Sequence, residues 1–283
     1  MCGVPSPAAG LVDAHVHLSF AAHGANPAPR GSAEIQEVYL RAQADAGVTL
    51  VRDCGAIPEA VAPPTGPGLP VVVSCGPLLA PDIPFLAHLR QPVAGQSLED
   101  VAVRRIAAGA AWIKLLADAP GPDGDMLAAQ PTYPPQLVQR VCEAVHDAGG
   151  RVAAHTTGPT APALVDAGVD SIEHGNWLDA GAVARLGARG GAWTPTLSTV
   201  TWYLDPMIAA GHPAAPMLSR HLETLAATLS GAVAAGVVVL AGTDERPHGS
   251  IREEIDLLTR FGLTPAAAQA AASTAARDYL VPG

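Results

Sequence analysis

The sequence predicts an α/β fold, a single-domain (β/α)8 barrel of the TIM type spanning residues 1–283. Three observations carry that expectation. Eight short β-like runs alternate with helical patterns along the chain. The runs are nearly continuous in Ala, Val, Leu and Ile, as strands buried on both faces must be. Proline and glycine collect at 58–68 and 119–135, and a long segment at 198–216 also follows a strand pattern. These are loops that begin where strands end, the end of a barrel on which sites are built.

The strand patterns lie at 11–18, 48–54, 70–75, 112–116, 151–156, 170–174, 192–197 and 237–243. Helical patterns occupy 34–46, 98–110, 134–148, 160–167, 179–189 and 216–235, with two more at 250–261 and 265–279 after the eighth strand. The run "SLEDVAVRRIAAG" reads as a complete helix, with Ser97 as N-cap, Asp100 closing an approximate capping box and Gly109 as the stop. The segment 198–216 contains Trp202, Tyr203 and Met207, large side chains in an aromatic-poor chain. It reads equally as an apolar lid and as a helix packed outside the barrel.

Composition narrows the function classes. At 283 residues, with 49% apolar and only 15% charged, the chain can bury one large core, built from aliphatic residues because aromatics are 4%. A net charge of -10 without a basic run argues against nucleic acid and anionic membranes as partners. The apolar stretch 231–242 falls short of the roughly 20 residues of a membrane span. The first ten residues lack the pattern of a signal peptide, so a cytoplasmic location is expected. Cys2, Cys54, Cys75 and Cys142 are scattered without C-x-x-C spacing and read as inert thiols.

The informative residues are polar ones inside apolar strands. "GLVDAHVHL" places Asp13, His15 and His17 at alternate positions, on one face of an extended chain. Lys114 interrupts "WIKLL", His155 ends "VAAH", His174 ends "SIEH" and Asp244 follows "VVVLAGT". Any one of these alone is more often structural: a hydrogen-bonded histidine, a helix-capping aspartate, or, for Asp13, a partner that orients an imidazole. Together they select the C-terminal end of five different strands, and independent accidents do not converge in that way. Imidazole and carboxylate ligands suit zinc first, and manganese, cobalt or iron after it. An ammonium ion would repel a metal and is costly among Trp112, Ile113, Leu115 and Leu116, so Lys114 must be neutral, paired or modified.

In this arrangement the sequence resembles the amidohydrolase superfamily, whose first strand carries an H-x-H pair, here His15 and His17, followed by the fourth-strand lysine, two histidines and an eighth-strand aspartate. "GVTLVRDCG", "WIKLLA", "VAAHTTG", "GVDSIEHG" and "LAGTDE" look like the imidazolonepropionase-like and Xaa-Pro dipeptidase-like branch. The resemblance implies a binuclear centre in which an N6-carboxylated Lys114 bridges two divalent metal ions, with zinc the first choice. His15, His17 and Asp244 would hold one ion, and His155 and His174 the other. It further implies attack by a metal-bridging hydroxide on an amide C–N bond of a small-molecule or short peptide-like substrate, with Asp244 as acid and base. Lactone or ester hydrolysis and deamination are the rival chemistries, with a non-catalytic metal-binding protein behind them.

Members of that branch commonly carry strands that form a small β-sandwich beside the barrel, and the sequence departs from this because so little chain flanks the barrel pattern. Oligomerisation is expected of such a barrel, although no homo-oligomer interface can be read. Tyr133 lies where related enzymes place a substrate contact, Trp202 and Tyr203 belong to the candidate lid, and Arg246 and His248 could meet a substrate carboxylate. The other histidines, His23, His88, His146, His212 and His221, have no strand-end placement and read as structural.

Overall fold

The computed structural model describes residues 10–20, 30–121, 128–211 and 215–281. Cys2, His23 and His212 lie outside them.

The apolar runs form parallel strands. β1 (Leu11–Val16), β2 (Val48–Asp53) and β3 (Val71–Ser74) make one sheet in that order. A second sheet has seven strands in the order β12 (Val238–Val239), β11 (Ala192–Thr194), β10 (Ser171–His174), β9 (Arg151–Thr156), β6 (Trp112–Leu116), β4 (Leu78–Ala80) and β5 (Arg90–Pro92). All its pairs are parallel. A small antiparallel pair joins β7 (Asp118–Ala119) to β8 (Gln130–Pro131). Apart from β2–β5, which follow one another without a helix, the strands of the two main sheets alternate with helices, an α/β arrangement of mostly parallel strands that fits a TIM barrel.

The two main sheets meet along the chain segment that follows β12. Ala14 N–H donates to Ala241 O at 2.8 Å, Asp244 N–H donates to His15 O at 2.7 Å, and Val16 and Asp244 form a parallel bridge. Gly242 permits this approach: a Cβ there would lie 2.6 Å from His15 Cβ and 2.7 Å from Thr194 Cγ2.

The helices are α1 (Ala33–Asp45), α2 (Leu98–Ala107), α3 (Pro135–Asp147), α4 (Ala161–Asp166), α5 (Ala180–Ala188), α6 (Leu197–Ala209), α7 (Ala215–Ala232), α8 (Ile251–Arg260), α9 (Pro265–Ala271) and α10 (Thr274–Leu280). Their apolar faces join the strands in one large core that includes Leu40, Val141, Leu164, Leu186, Leu229 and Leu258. Among the described residues no helix is long and apolar enough to cross a membrane.

Several elements depart from the sequence expectation, each for a local reason. The third apolar run is followed by a further strand: Gly76, at φ 65°, and Pro77 separate β3 from β4, which pairs with β6 instead of β2. Ser97 does not cap α2, because a 3-10 turn at Gly95–Ser97 runs straight into the helix and its side chain makes no cap hydrogen bond. The pattern at 265–279 is two helices. The break frees Ala271 O to accept from Ala241 N–H at 2.9 Å and Ala272 O to accept from Val12 N–H at 2.7 Å. The seventh strand stops at Thr194, and the segment with Trp202 and Tyr203 is the helix α6. The start of α6 is buried and held by Glu254 of α8, whose carboxylate accepts from Leu197 N–H at 2.9 Å and Ser198 N–H at 2.7 Å.

Candidate metal centre

β1, β6, β9 and β10 and the segments after β1 and β12 bring five of the six expected ligands into buried positions and leave His155 half-buried. His15, His17, Lys114, His174 and Asp244 are each less than a tenth exposed. His15 Nε2 lies 3.5 Å and His17 Nε2 3.2 Å from Asp244 Oδ1, so two imidazoles and a carboxylate aim donor atoms at one point. On the neighbouring strands His174 Nε2 and His155 Nδ1 face each other at 2.9 Å, and the His15 and His174 rings are 5.1 Å apart. The two sets adjoin.

Each of three imidazoles is fixed through its far nitrogen. His15 Nδ1 meets Glu173 Oε2 at 2.8 Å, His17 Nδ1 donates to Gly55 O at 2.9 Å, and His174 Nδ1 pairs with Thr196 Oγ1 at 2.8 Å. The Glu173 and Gly55 oxygens accept only, so they choose the tautomers of His15 and His17 and leave each near nitrogen with its lone pair, whereas the Thr196 hydroxyl orients His174 without choosing. Backbone strain collects here too. His174 at φ 64°, Thr196 at φ 48° and Asp244 at φ 55° are left-handed without being glycine, at about 1–3 kcal/mol each.

The electrostatics favour neutral His15, His155 and His174 around an ionised Asp244, with His17 the exception. Burial pushes His15 and His155 down to about 4, and it pushes His174 well below the ordinary imidazole value with His155 adding to the effect. His17 is raised, because its contact with Asp244 outweighs burial. Burial opposes ionisation of Asp244, but the imidazoles of His15, His17 and His174 prevail and hold it well below the carboxylate range.

The donor set fits divalent metal ions. Neutral imidazoles and an anionic carboxylate are the ligands that zinc and its neighbours take. Two further observations agree. His155 Nε2 is buried without a partner, and Lys114 lies between His15 and His155 in charge contact with both at 1% exposure. A buried polar group without a partner is costly and asks for a further occupant. His15, Cys54 and Glu173 form another group with ligand atoms within 4.8 Å. There the Arg52 guanidinium already donates to Glu173 at 2.6 Å and would repel a cation.

Supporting residues that the sequence reading passed over are visible at once. Arg52 and Glu173 lie beneath His15. Asp118 clamps the turn after His155, accepting from Thr156 Oγ1 at 2.5 Å, Thr157 N–H at 3.0 Å and Gly158 N–H at 3.1 Å. Asp13 orients no imidazole; it accepts from Thr243 Oγ1 at 2.6 Å, Thr243 N–H at 3.0 Å and Gln43 Nε2 at 3.0 Å, and so fixes the backbone just before Asp244. A signal existed for two of these. Arg52 and Glu173 interrupt apolar strands just as Lys114 does.

The expected substrate contacts separate into two groups. Arg246 and His248 line a cavity of about 270 Å³ that also reaches His17, Phe20, Tyr39 and Asp244. His248 stacks on Tyr39 at 4.2 Å. Trp202 and Tyr203 sit on α6 at the edge of this region. Arg246 lies over the Trp202 ring at 5.5 Å, and Tyr203 donates to Glu245 at 2.5 Å. Tyr133 is not brought to the cluster: it is buried in the apolar core and donates to Val93 O at 2.7 Å. Of the remaining histidines, His146 pairs with Asp170 at 2.8 Å, His88 packs on Phe20 and His221 on Trp177. Cys54, Cys75 and Cys142 are buried free thiols.

Comparison with known proteins places these residues in a wider set. Residues 8–280 match the Amidohydrolase family. Uncharacterized proteins of Mycobacterium tuberculosis and Mycobacterium bovis are each 32% identical over 282 residues, covering 96% of this chain and 73% of the relative. Among solved structures, a Xaa-Pro dipeptidase with bound methionine aligns with a TM-score of 0.72 at 21% identity, over 96% of this chain and 75% of that one. Ochratoxinase of A. niger aligns with a TM-score of 0.75 at 22% identity, over 95% and 70%. At these identities the structures share the fold.

Proposed function

The chain belongs to the amidohydrolase family, and from that premise we propose that it is a binuclear metal-dependent hydrolase of amide C–N bonds in small-molecule or short peptide-like substrates. The proposal includes a single closed (β/α)8 barrel over residues 1–283, supported at one of its two seams by the contacts of Ala14 and His15 with residues 241–244. His15, His17 and Asp244 would hold one divalent ion, His155 and His174 the other, with zinc the first candidate. Lys114 would be shared as a carbamate, an anionic oxygen ligand. The observation that carries the reading is the convergence of His15 Nε2, His17 Nε2 and Asp244 Oδ1 within 4.8 Å, supported by far-nitrogen contacts on both His15 and His17.

When bound, the ion pair supplies Lewis acidity and a water of lowered pKa. The protein's residues do the rest. Asp244, ionised and within reach of both imidazoles of β1, takes a proton at Oδ1 and returns it to the leaving nitrogen. Glu173, Gly55 and Thr196 keep the imidazoles aimed while that proton moves. The cavity beside Asp244, walled by Phe20, Tyr39, Pro247 and His248, would receive the substrate next to the centre.

The test is a panel of Xaa-Pro and other dipeptides, N-acyl amides, lactams and matched esters, assayed after incubation with zinc and bicarbonate. Amide hydrolysis above that of Asp244→Asn supports the reading. Turnover of esters or lactones alone would move the chemistry to the rival class, and turnover of neither would overturn it.

A further inference from the structure

We infer that Glu173, anchored by Arg52, is a positioning residue for this centre: it fixes His15 as the tautomer protonated on Nδ1, so that Nε2 is presented bare toward Asp244. The inference deepens the metal-hydrolase reading and rests on it for its function, while its geometry stands independently.

Two strands supply the platform. Arg52 on β2 is fully buried, and its guanidinium reaches three other strands. Nε donates to Ala14 O of β1 at 2.8 Å, Nη1 to Ser171 Oγ of β10 at 3.1 Å, and Nη2 to Thr194 Oγ1 of β11 at 3.1 Å and to Glu173 Oε1 of β10 at 2.6 Å. Ser171 Oγ donates to the same Oε1 at 2.5 Å. One oxygen of Glu173 is therefore anchored twice. The other, Oε2, meets His15 Nδ1 at 2.8 Å with Glu173, Arg52 and His15 all shielded from water. A carboxylate oxygen in that position accepts only, so the shared proton resides on Nδ1. The Arg52 guanidinium also lies 5.0 Å from the ring centre of Trp112 on β6, the strand that carries Lys114.

Consecutive residues of a strand point to opposite faces. Glu173 and His174 nevertheless serve one centre, because the left-handed backbone at His174 turns its ring back toward His15 and His155. A strand that carried only His174 would position one ligand. This one positions two.

The test has a readout that does not require activity. In metal-free wild-type protein labelled with 15N-histidine, long-range proton–nitrogen correlations assigned with a His15→Ala variant should show His15 protonated at Nδ1 and bare at Nε2. The opposite tautomer, or a rapidly exchanging mixture, would overturn the inference. Glu173→Gln should mix the tautomers and weaken zinc binding, measured against a competing chelator, by about 10- to 100-fold; Ser171→Ala should weaken it less. A folded Glu173→Gln protein that binds zinc as wild type does would also overturn it. If Glu173→Gln fails to fold, the wild-type spectrum still decides. If wild-type protein binds no zinc, the proposed function fails, and the tautomer still decides this inference separately.

Discussion

Replacing Arg52 with Met isolates the energetics of the platform beneath the centre. The side chain is fully buried and holds four hydrogen bonds, one of them to a fully buried carboxylate at 2.6 Å. Methionine fills most of the volume but leaves Glu173 without its counter-charge, and breaking a buried pair from one side costs about 3–5 kcal/mol. Domain stability is itself only about 5–15 kcal/mol, so the variant should lose a large part of it. Urea unfolding at constant slope measures the loss. The double variant Arg52→Met, Glu173→Gln removes the stranded charge as well, and should regain at least about 1 kcal/mol relative to Arg52→Met alone. A loss under about 1 kcal/mol, typical of an exposed ion pair, would refute the reasoning. So would a double variant no more stable than the single one.

Asp244→Asn should lower turnover of any hydrolysed substrate at least about tenfold, read from steady-state kcat with metal content matched to wild type. Gly242→Ala should cost about 1–3 kcal/mol or more in thermal unfolding, because its Cβ would meet His15 Cβ at 2.6 Å and Thr194 Cγ2 at 2.7 Å; an unchanged melting temperature would show that the segment does not press on β1 as described. Glu254→Ala strands two buried N–H groups at the start of α6 and should cost at least about 2 kcal/mol, with a change in near-ultraviolet dichroism from Trp202 and Tyr203. Chelator treatment should abolish hydrolysis, and zinc, manganese or cobalt should restore it.

Much of the candidate site was legible because its chemistry violates the local pattern. His15, His17, Lys114, His155, His174 and Asp244 are polar residues in or just past apolar strands, and the structure buries five of them and half-buries His155 on neighbouring strands. The order of strands and helices was legible for a related reason, since near-continuous apolar runs between amphipathic helices leave few other solutions. What sequence reasoning missed depends on contacts between distant segments. Nothing local to Ser97 signals the 3-10 turn that removes it as a cap, and nothing within 265–279 shows that Val12 and Ala241 need its carbonyls. Tyr133 was placed near substrate by the resemblance to related enzymes, yet its hydroxyl is satisfied by Val93 O in the core. Left-handed backbone at His174 and Asp244 is equally invisible, because neither residue type calls for a positive φ.

The central claim is a bridged binuclear centre, and the most direct test is metal content per chain. Elemental analysis would be made on protein purified without chelator and resupplied with zinc and bicarbonate, alongside native intact mass. The account predicts about two metal ions per chain and the added mass of one carbon dioxide, with the added mass lost in Lys114→Ala. Zero or one ion after resupply, with no added mass, would contradict it.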